Sequence, residues 1–498
     1  MTMFCPMFYR FRFQIKLVVL FFVVVSFQCY FLSSASAQIA LVTGWEVDES
    51  QAGRKTTIFN AFKSGNVDAD RAGLDTFFDK YYFARWTRPE NTGSVHSSFV
   101  KEFLTQDLRD ATGNAREYLL TKSFDTLKKM AADNNATPTS RYNAILTIGQ
   151  LTQREPEGRG KPPTPYAQAL PYLIGEYQKK ENPKYIQLGS LIGIVRLAEI
   201  GIADETLKNT TVPKLFIEII QSGKPKDNKN KEDQEMTDWF RLYALDGLGA
   251  LKSVGNNGQI VTVLSDVIEN NQETIDVRTH AARIFNDLFF ADSEKTLTDQ
   301  QYQEIGTSLI TLMKATVDSQ LQMITQLRDK ARVSKGEIAP DINAMSTISA
   351  TALEPEFAAL TKEQQIEITG AVQNIKANIL NVTYGMRGTR LTGKSDAGIL
   401  SKLAAEDPVA IKINSTVKLV TKLIKDLDEG PPEDLRKRSI MGDSSMSEMS
   451  SNPTGSGGSG RRGDEKQQPQ LKVNFSVIRD SLQKMSDELS AIIAGSGV

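Results

Sequence analysis

The chain has 498 residues, 40% of them hydrophobic, with 59 Lys and Arg against 60 Asp and Glu for a net charge of −1. Such a balance argues against nucleic acid as a main partner, and the length is ample for a sizeable core. Both cysteines, Cys5 and Cys29, fall in the N-terminal apolar segment, which excludes thiol catalysis and cysteine metal sites from everything after it.

Arg10, Arg12 and Lys16 precede an apolar run from Leu17 to Leu32, and Ala35-Ser36-Ala37 follows. A basic stretch, a short apolar core and a small-x-small site form a secretory signal, with cleavage expected after Ala37. An exported protein of residues 38–498 follows, periplasmic, in the cell envelope or secreted. The competing reading is an uncleaved membrane anchor, although the run carries Ser26 and Gln28 and falls just short of a span. Losing residues 1–37 removes three positive charges and leaves 56 basic against 60 acidic residues.

Residues 38–117 read as an aromatic-rich helical cap, because Phe62, Phe77, Phe78, Tyr81, Tyr82, Phe83 and Trp86 crowd a short stretch. An aromatic platform for a sugar or peptide is the alternative. Asp68, Asp70, Gly73 and Asp79 stand at positions one, three, six and twelve of a calcium loop. Ala72 at position five and the shorter Asp79 at position twelve starve that loop of ligands, so acidic helix capping accounts for these residues equally well.

One phrase organises residues 118–300. It runs Arg141, Ala144, Ile148, Gly149, Leu151; then Arg241, Ala244, Leu248, Gly249, Leu251; then Arg278, Ala281, Phe285, Asn286, Leu288. Gln187, Ser190, Ile194 and Leu197 make a looser copy at the same offsets. These offsets keep one helix face in register and put a small residue where a neighbouring backbone must come close. Each copy reads as the second helix of a pair. The first helices are expected at Leu119 to Ala132, Tyr166 to Lys179, Val212 to Gln221 and Gln259 to Asn270. The copies begin 46, 54 and 37 residues apart, which brackets the roughly 40 to 47 of two-helix repeats. Polar insertions at Gln153 to Pro165 and Ser222 to Glu235 lengthen two of them.

Asp276-Val277-Arg278, Ala281-Ala282 and Leu288 resemble the second helix of a HEAT-like repeat. The resemblance implies an all-α solenoid that binds other proteins, in which Arg278 and Asp276 tie adjacent turns together. Gln187 in place of Arg, and Thr139 two positions before Arg141, interrupt that ladder of ties.

Longer helices fill residues 301–429, marked by Leu312, Val317, Leu321, Ile324 and Leu327, by Ile366 to Leu380, and by the coiled-coil seam Ile413, Val417, Val420, Ile424 and Leu427. Between them lies Gly388-x-x-x-x-Gly393-Lys394-Ser395, a phosphate-loop pattern. It requires a strand, which Ile379 to Tyr384 would supply, and then a helix at Ala397 to Ala405. No magnesium-holding Asp follows, and a Gly-rich turn between two helices is the simpler reading.

Residues 430–470 read as a flexible linker, holding Gly and Ser fragments around Ser456 to Ser459 and Arg462-Gly463-Asp464, which resembles an adhesion triplet by coincidence. Residues 471–498 form a tail helix with Ile478, Leu482, Met485, Leu489 and Ile492 on one face. That face must dock, on the chain itself or on a partner.

His96 and His280 lie outside any zinc or triad signature, and Asn135, Asn209, Asn381 and Asn414 fit the glycan acceptor pattern. The sequence specifies no cofactor, metal ion or catalytic set. Its expected role is a non-catalytic exported scaffold or adaptor of bacterial type, with other proteins as partners, no nucleic acid, and membrane contact only if the N-terminal segment stays uncleaved. The alternatives are an exported enzyme or nucleotide-binding protein using Gly388 to Ser395 or the aromatic cap, and an envelope component that self-assembles through the seams at Ile413 and Ile478.

Overall fold

A computed structural model describes residues 45–67, 71–156, 162–222, 231–290, 295–334, 362–391, 395–427 and 475–495. These residues are 78% helical and 2% strand, so the fold class is all-α. The signal and linker segments fall outside them. Among the described residues no helix is long and apolar enough to cross a membrane. Two units divide the chain, residues 37–263 and residues 264–498. The sequence places the corresponding boundary at residue 300, one helix pair later.

The first unit opens on short helical pieces packed around aromatic rings. α1 (Lys55–Lys63) and α2 (Arg71–Phe77) are followed by π-helical turns at Phe78–Tyr82, Val95–Val100 and Phe103–Asp107. Phe62, Phe77, Phe78, Tyr82, Phe83, Trp86 and Phe103 are all at most 1% exposed. Their rings meet mostly edge to face, Tyr82 against Phe83 at 5.0 Å and Phe83 against Trp86 at 5.1 Å. An aromatic platform needs an exposed ring face, and these rings have spent theirs on one another.

Helix pairs follow: α3 (Gly113–Ala132) with α4 (Pro138–Ile148), α5 (Ala169–Gln178) with α6 (Lys184–Ile200), and α7 (Val212–Ser222) with α8 (Lys231–Ala250). Start and stop signals explain the boundaries. Thr137 caps α4 by accepting from the Ser140 N–H at 3.0 Å, with Pro138 in the first turn. Gly201, at φ 111°, ends α6. Within this unit α4 packs on α6 and α6 on α8, so the second helices form a continuous row. Glycine sets the first of these contacts: a Cβ on Gly149 would lie 2.5 Å from the Gly193 Cα.

The insertion after α4 is not wholly irregular. Thr152–Arg154 pairs antiparallel with Thr164–Pro165, and the Arg116 guanidinium donates to the Thr152 and Gln153 carbonyls at 2.8 and 2.9 Å. The second insertion is shorter than its composition suggests, because α8 already begins at Lys231. α9 (Gln259–Glu269) contains the division between the units.

In the second unit α10 (Ile275–Leu288) packs on α11 (Asp299–Ser334) and α12 (Lys362–Arg387), and α13 (Pro408–Leu427) packs on α11 and α12. α14 (Phe475–Ala494) lies on α11 and α13. The tail therefore docks on its own chain. Ile478, Leu482, Met485, Leu489 and Ile492 are each no more than 7% exposed. The seam of α13 differs by one position from the expected one, since Leu423 is buried and Ile424 only half-buried.

Candidate functional site

The repeated phrase has a defined chemistry at its first position. The Arg141 Nε donates to the Ala131 carbonyl at 2.9 Å, Arg241 Nε to Ile220 at 3.0 Å, and Arg278 Nε to Ile268 at 2.8 Å. Gln187 Nε2 donates to Lys179 at 3.0 Å. Each acceptor lies at the C-terminal end of the first helix of the same pair, where carbonyls lack intrahelical donors and the helix dipole favours a cation. The residue thus staples the two helices of one pair together. This corrects the Arg–Asp ladder: Arg278 acts within its pair, and the Asp276 carboxylate accepts instead from Asn378 Nδ2 of α12 at 2.8 Å. Gln187 keeps the geometry without the charge, because a carbonyl asks only for an N–H donor.

Ties between successive pairs are made by cations over aromatic rings. The Arg141 guanidinium sits 5.8 Å from the Tyr185 ring centroid, and Lys184 Nζ sits 5.8 Å from that of Phe240. Tyr177, at the end of α5, meets Phe240 at 6.2 Å. Tyr185 and Trp239 occupy the same register, two residues before the stapling positions Gln187 and Arg241. Both are half-buried, as is Phe240, while Met236 one turn earlier is 37% exposed. Burial pushes the Tyr177 hydroxyl up to about 12 and the Tyr185 hydroxyl upward, with Arg141 opposing the latter. Both phenols are therefore neutral at physiological pH. The result is a strip of half-exposed aromatic, Met and cationic side chains along the first turn of α6 and the second and third turns of α8. This is the composition enriched at protein interfaces. Sequence reading missed it, although Tyr and Trp recurring two places ahead of the phrase was the available signal.

Among the described residues, Gly388, Ser395 and Asp79 are engaged in structural contacts. The expected strand Ile379 to Tyr384 is the final part of α12. Its buried residues Ile368, Val372, Ile375, Ile379, Val382 and Met386 step by four and three, the helical period. The expected helix Ala397 to Ala405 holds one short turn, Ile399–Ser401, after an isolated bridge from Ala397 to Phe290. Gly388, at φ 87°, breaks α12, and the Ser395 hydroxyl lies 2.9 Å from both the Arg387 and Ala397 carbonyls. Asp396 folds over the same helix end and accepts from Thr389 at 3.0 Å. Carbonyls and a carboxylate at a helix C-terminus repel phosphate, whereas a phosphate loop presents N–H groups at an N-terminus. Gly393 and Lys394 lie outside the described residues.

Asp79 is engaged internally: Lys122 Nζ donates to it at 2.8 Å and the Thr126 hydroxyl at 3.2 Å. Asp68 and Asp70 lie outside the described residues. Among the described residues no three His, Cys, Asp or Glu side chains stand where they could hold a metal ion. A cavity of about 300 Å³ is lined by Trp45, Glu46, Asp79, Lys80 and Lys129, with the Trp45 indole N–H held by Asp133 at 2.6 Å. His280 is buried in α10 and His96 is exposed. Asn135 and Asn209 are exposed, while Asn381 is only 3% exposed inside α12 and has no access to a glycosylating enzyme.

One titratable pair stands out in the aromatic core. The fully buried Tyr82 hydroxyl donates to the Asp107 carboxylate, and Lys55 beside them is paired with Glu102 at 2.6 Å. Burial raises Asp107 to about 6, against the lowering effect of the Tyr82 hydrogen bond. A carboxyl raised in the fold favours its protonated form. The associated stabilisation is complete below about pH 4 and is lost as the pH rises through about 6, an effect on the order of 2–3 kcal/mol. Asp107→Asn keeps an acceptor for Tyr82 and removes the titration. Urea unfolding followed by tryptophan fluorescence at pH 4.5 and 7.5 should show the natural chain losing stability at the higher pH and the variant losing less.

Comparison of the chain with protein-family models, with characterised proteins and with solved structures finds no match.

Proposed function

We propose that this is an exported, non-catalytic scaffold or adaptor that binds another protein across a HEAT-like stack of helix pairs, in the periplasm, the cell envelope or outside the cell. The observation that carries the reading is the strip along the first turn of α6 and the second and third turns of α8. Tyr185, Trp239, Phe240 and Met236 leave apolar surface half-exposed, while Arg141 and Lys184 hold Tyr185 and Phe240 in place. Rigid aromatic anchors flanked by cations are the residue types that concentrate binding energy. Support for export comes from the basic, apolar and small-x-small succession through Ala37. Support for a stack comes from the row α4, α6, α8 and its shared stapling residue.

A photoreactive amino acid at Met236, with Ile366 as an exposed control on α12, tests the reading in the native host. The expected result is a discrete cross-linked protein at 236 alone. Once purified, that protein should bind the Tyr185→Ala, Phe240→Ala double variant at least about 30-fold more weakly, the cost of losing a hot-spot anchor. Equal binding to natural and variant chains would remove the strip from the function.

A further inference from the structure

The cations of the strip hold aromatic rings and have no counter-ion. Arg141 donates through Nε to Ala131 and through Nη1 to Asn134, at 2.9 Å each, and its guanidinium faces the Tyr185 ring. Lys184 Nζ makes one hydrogen bond, to Gln187 at 3.0 Å, and faces the Phe240 ring. Among the described residues neither cation is paired with a carboxylate, and the neutral Tyr185 hydroxyl has no hydrogen-bond partner. Positive charge and spare donors therefore stand beside rings that the fold leaves half-exposed.

Different partner backbones meet that chemistry differently. A helix spends its carbonyls on its own N–H groups, and a strand brings N–H groups that ask for acceptors. A polyproline II segment has no internal hydrogen bonds, and its prolines bring carbonyls without N–H groups. The spacing agrees. Tyr185 and Trp239 hold the same register on α6 and α8, which pack on each other, and packed helices lie about 8–10 Å apart. A polyproline II chain presents the same face every three residues, about 9.3 Å.

From this chemistry we infer that the strip receives an extended, proline-rich segment of a partner protein, with acidic residues flanking the prolines. Prolines at i and i+3 lie on Tyr185 and Trp239, a carbonyl accepts from the Tyr185 hydroxyl, and the acidic side chains neutralise Arg141 and Lys184. This rests on the strip being the binding surface and adds what it binds.

The probe is a fluorescein-labelled peptide with two acidic residues on each side of Pro-Pro-Ala-Pro-Pro, titrated against the full chain by fluorescence anisotropy. Saturable binding is expected, weakened at least about tenfold by Tyr185→Ala, the loss of an aromatic anchor. Lys184→Glu should weaken it at least about fivefold at low salt, where charge complementarity is least screened. Lys184 is exposed, so that variant reports even where Tyr185→Ala disturbs the fold by circular dichroism. Four results would overturn the inference: no saturation; equal binding of a peptide with alanine for every proline, which would favour a helix; equal binding of a peptide with lysine for every acidic residue; or full binding by both variants. A partner cross-linked at Met236 beside a silent probe would leave the strip in the function and remove the proline-rich segment alone. Pro431 and Pro432 stand between Asp428, Glu429, Glu433 and Asp434 in this chain. A full chain carrying Pro431→Ala and Pro432→Ala that binds the probe more than about tenfold tighter, as loss of a tethered competitor predicts, would give the strip to the chain's own segment and overturn an outside partner.

Discussion

Gly385→Ala is expected to destabilise the second unit by more than about 3 kcal/mol, beyond the usual range for overpacking. Gly370→Ala on the same helix should stabilise it by about 0.5–1 kcal/mol. The contrast follows from what each added methyl would meet. At Gly385 it would lie 2.1 Å from the Ala282 carbonyl oxygen and 2.9 Å from the carbonyl carbon, both backbone of α10. Backbone cannot rotate aside as a side chain does, so α10 and α12 must separate. Separation would stretch the Thr279 hydroxyl bond to Asn378, 3.0 Å, and the Asn378 bond to Asp276, 2.8 Å. At Gly370 nothing stands within 4 Å, so alanine there only reduces the freedom of the unfolded chain. Chemical unfolding of the two variants in parallel checks the pair, and equal effects would show that α10 and α12 yield at this crossing.

The helical class and the helix positions were largely legible because helices advertise themselves by period. The phrase from Arg141, Arg241 and Arg278 located second helices, and the spacing from Ile478 to Ile492 located the tail and its buried face. What stayed hidden depends on a second element. Gln187 looked like a defect, since only the Lys179 carbonyl in the folded chain shows that a neutral donor suffices. Tyr185 and Trp239 drew no expectation, because sequence cannot distinguish a fully buried ring from one left half-exposed on a helix face. The segment Gly388 to Ser395 matched a motif at four positions, yet what precedes it decides its electrostatics, and a helix C-terminus precedes it. Asp79 similarly fitted a ligand pattern until Lys122 and Thr126 were seen to occupy both its oxygens.

The stapling position itself provides the second large effect. Arg241→Ala should cost the first unit about 3 kcal/mol, near the figure for breaking a buried charged contact. Arg241 is 1% exposed, donates to the Ile220 carbonyl and pairs with Asp238 at 3.5 Å. Truncation strands the end of α7, takes an ion-pair partner from Asp238 and leaves a cavity where the long side chain lay. Arg141→Ala should cost less, because Arg141 is only half-buried and water can replace it at Ala131. Arg241→Gln is the decisive companion. If the position works by donating an N–H to the helix end, as Gln187 does for Lys179, glutamine restores more than half of the lost stability. If the positive charge beside Asp238 is what matters, glutamine fares no better than alanine. Urea midpoints for the three chains separate these accounts, and the second outcome would reduce the likeness between Gln187 and the three arginines to a coincidence of spacing.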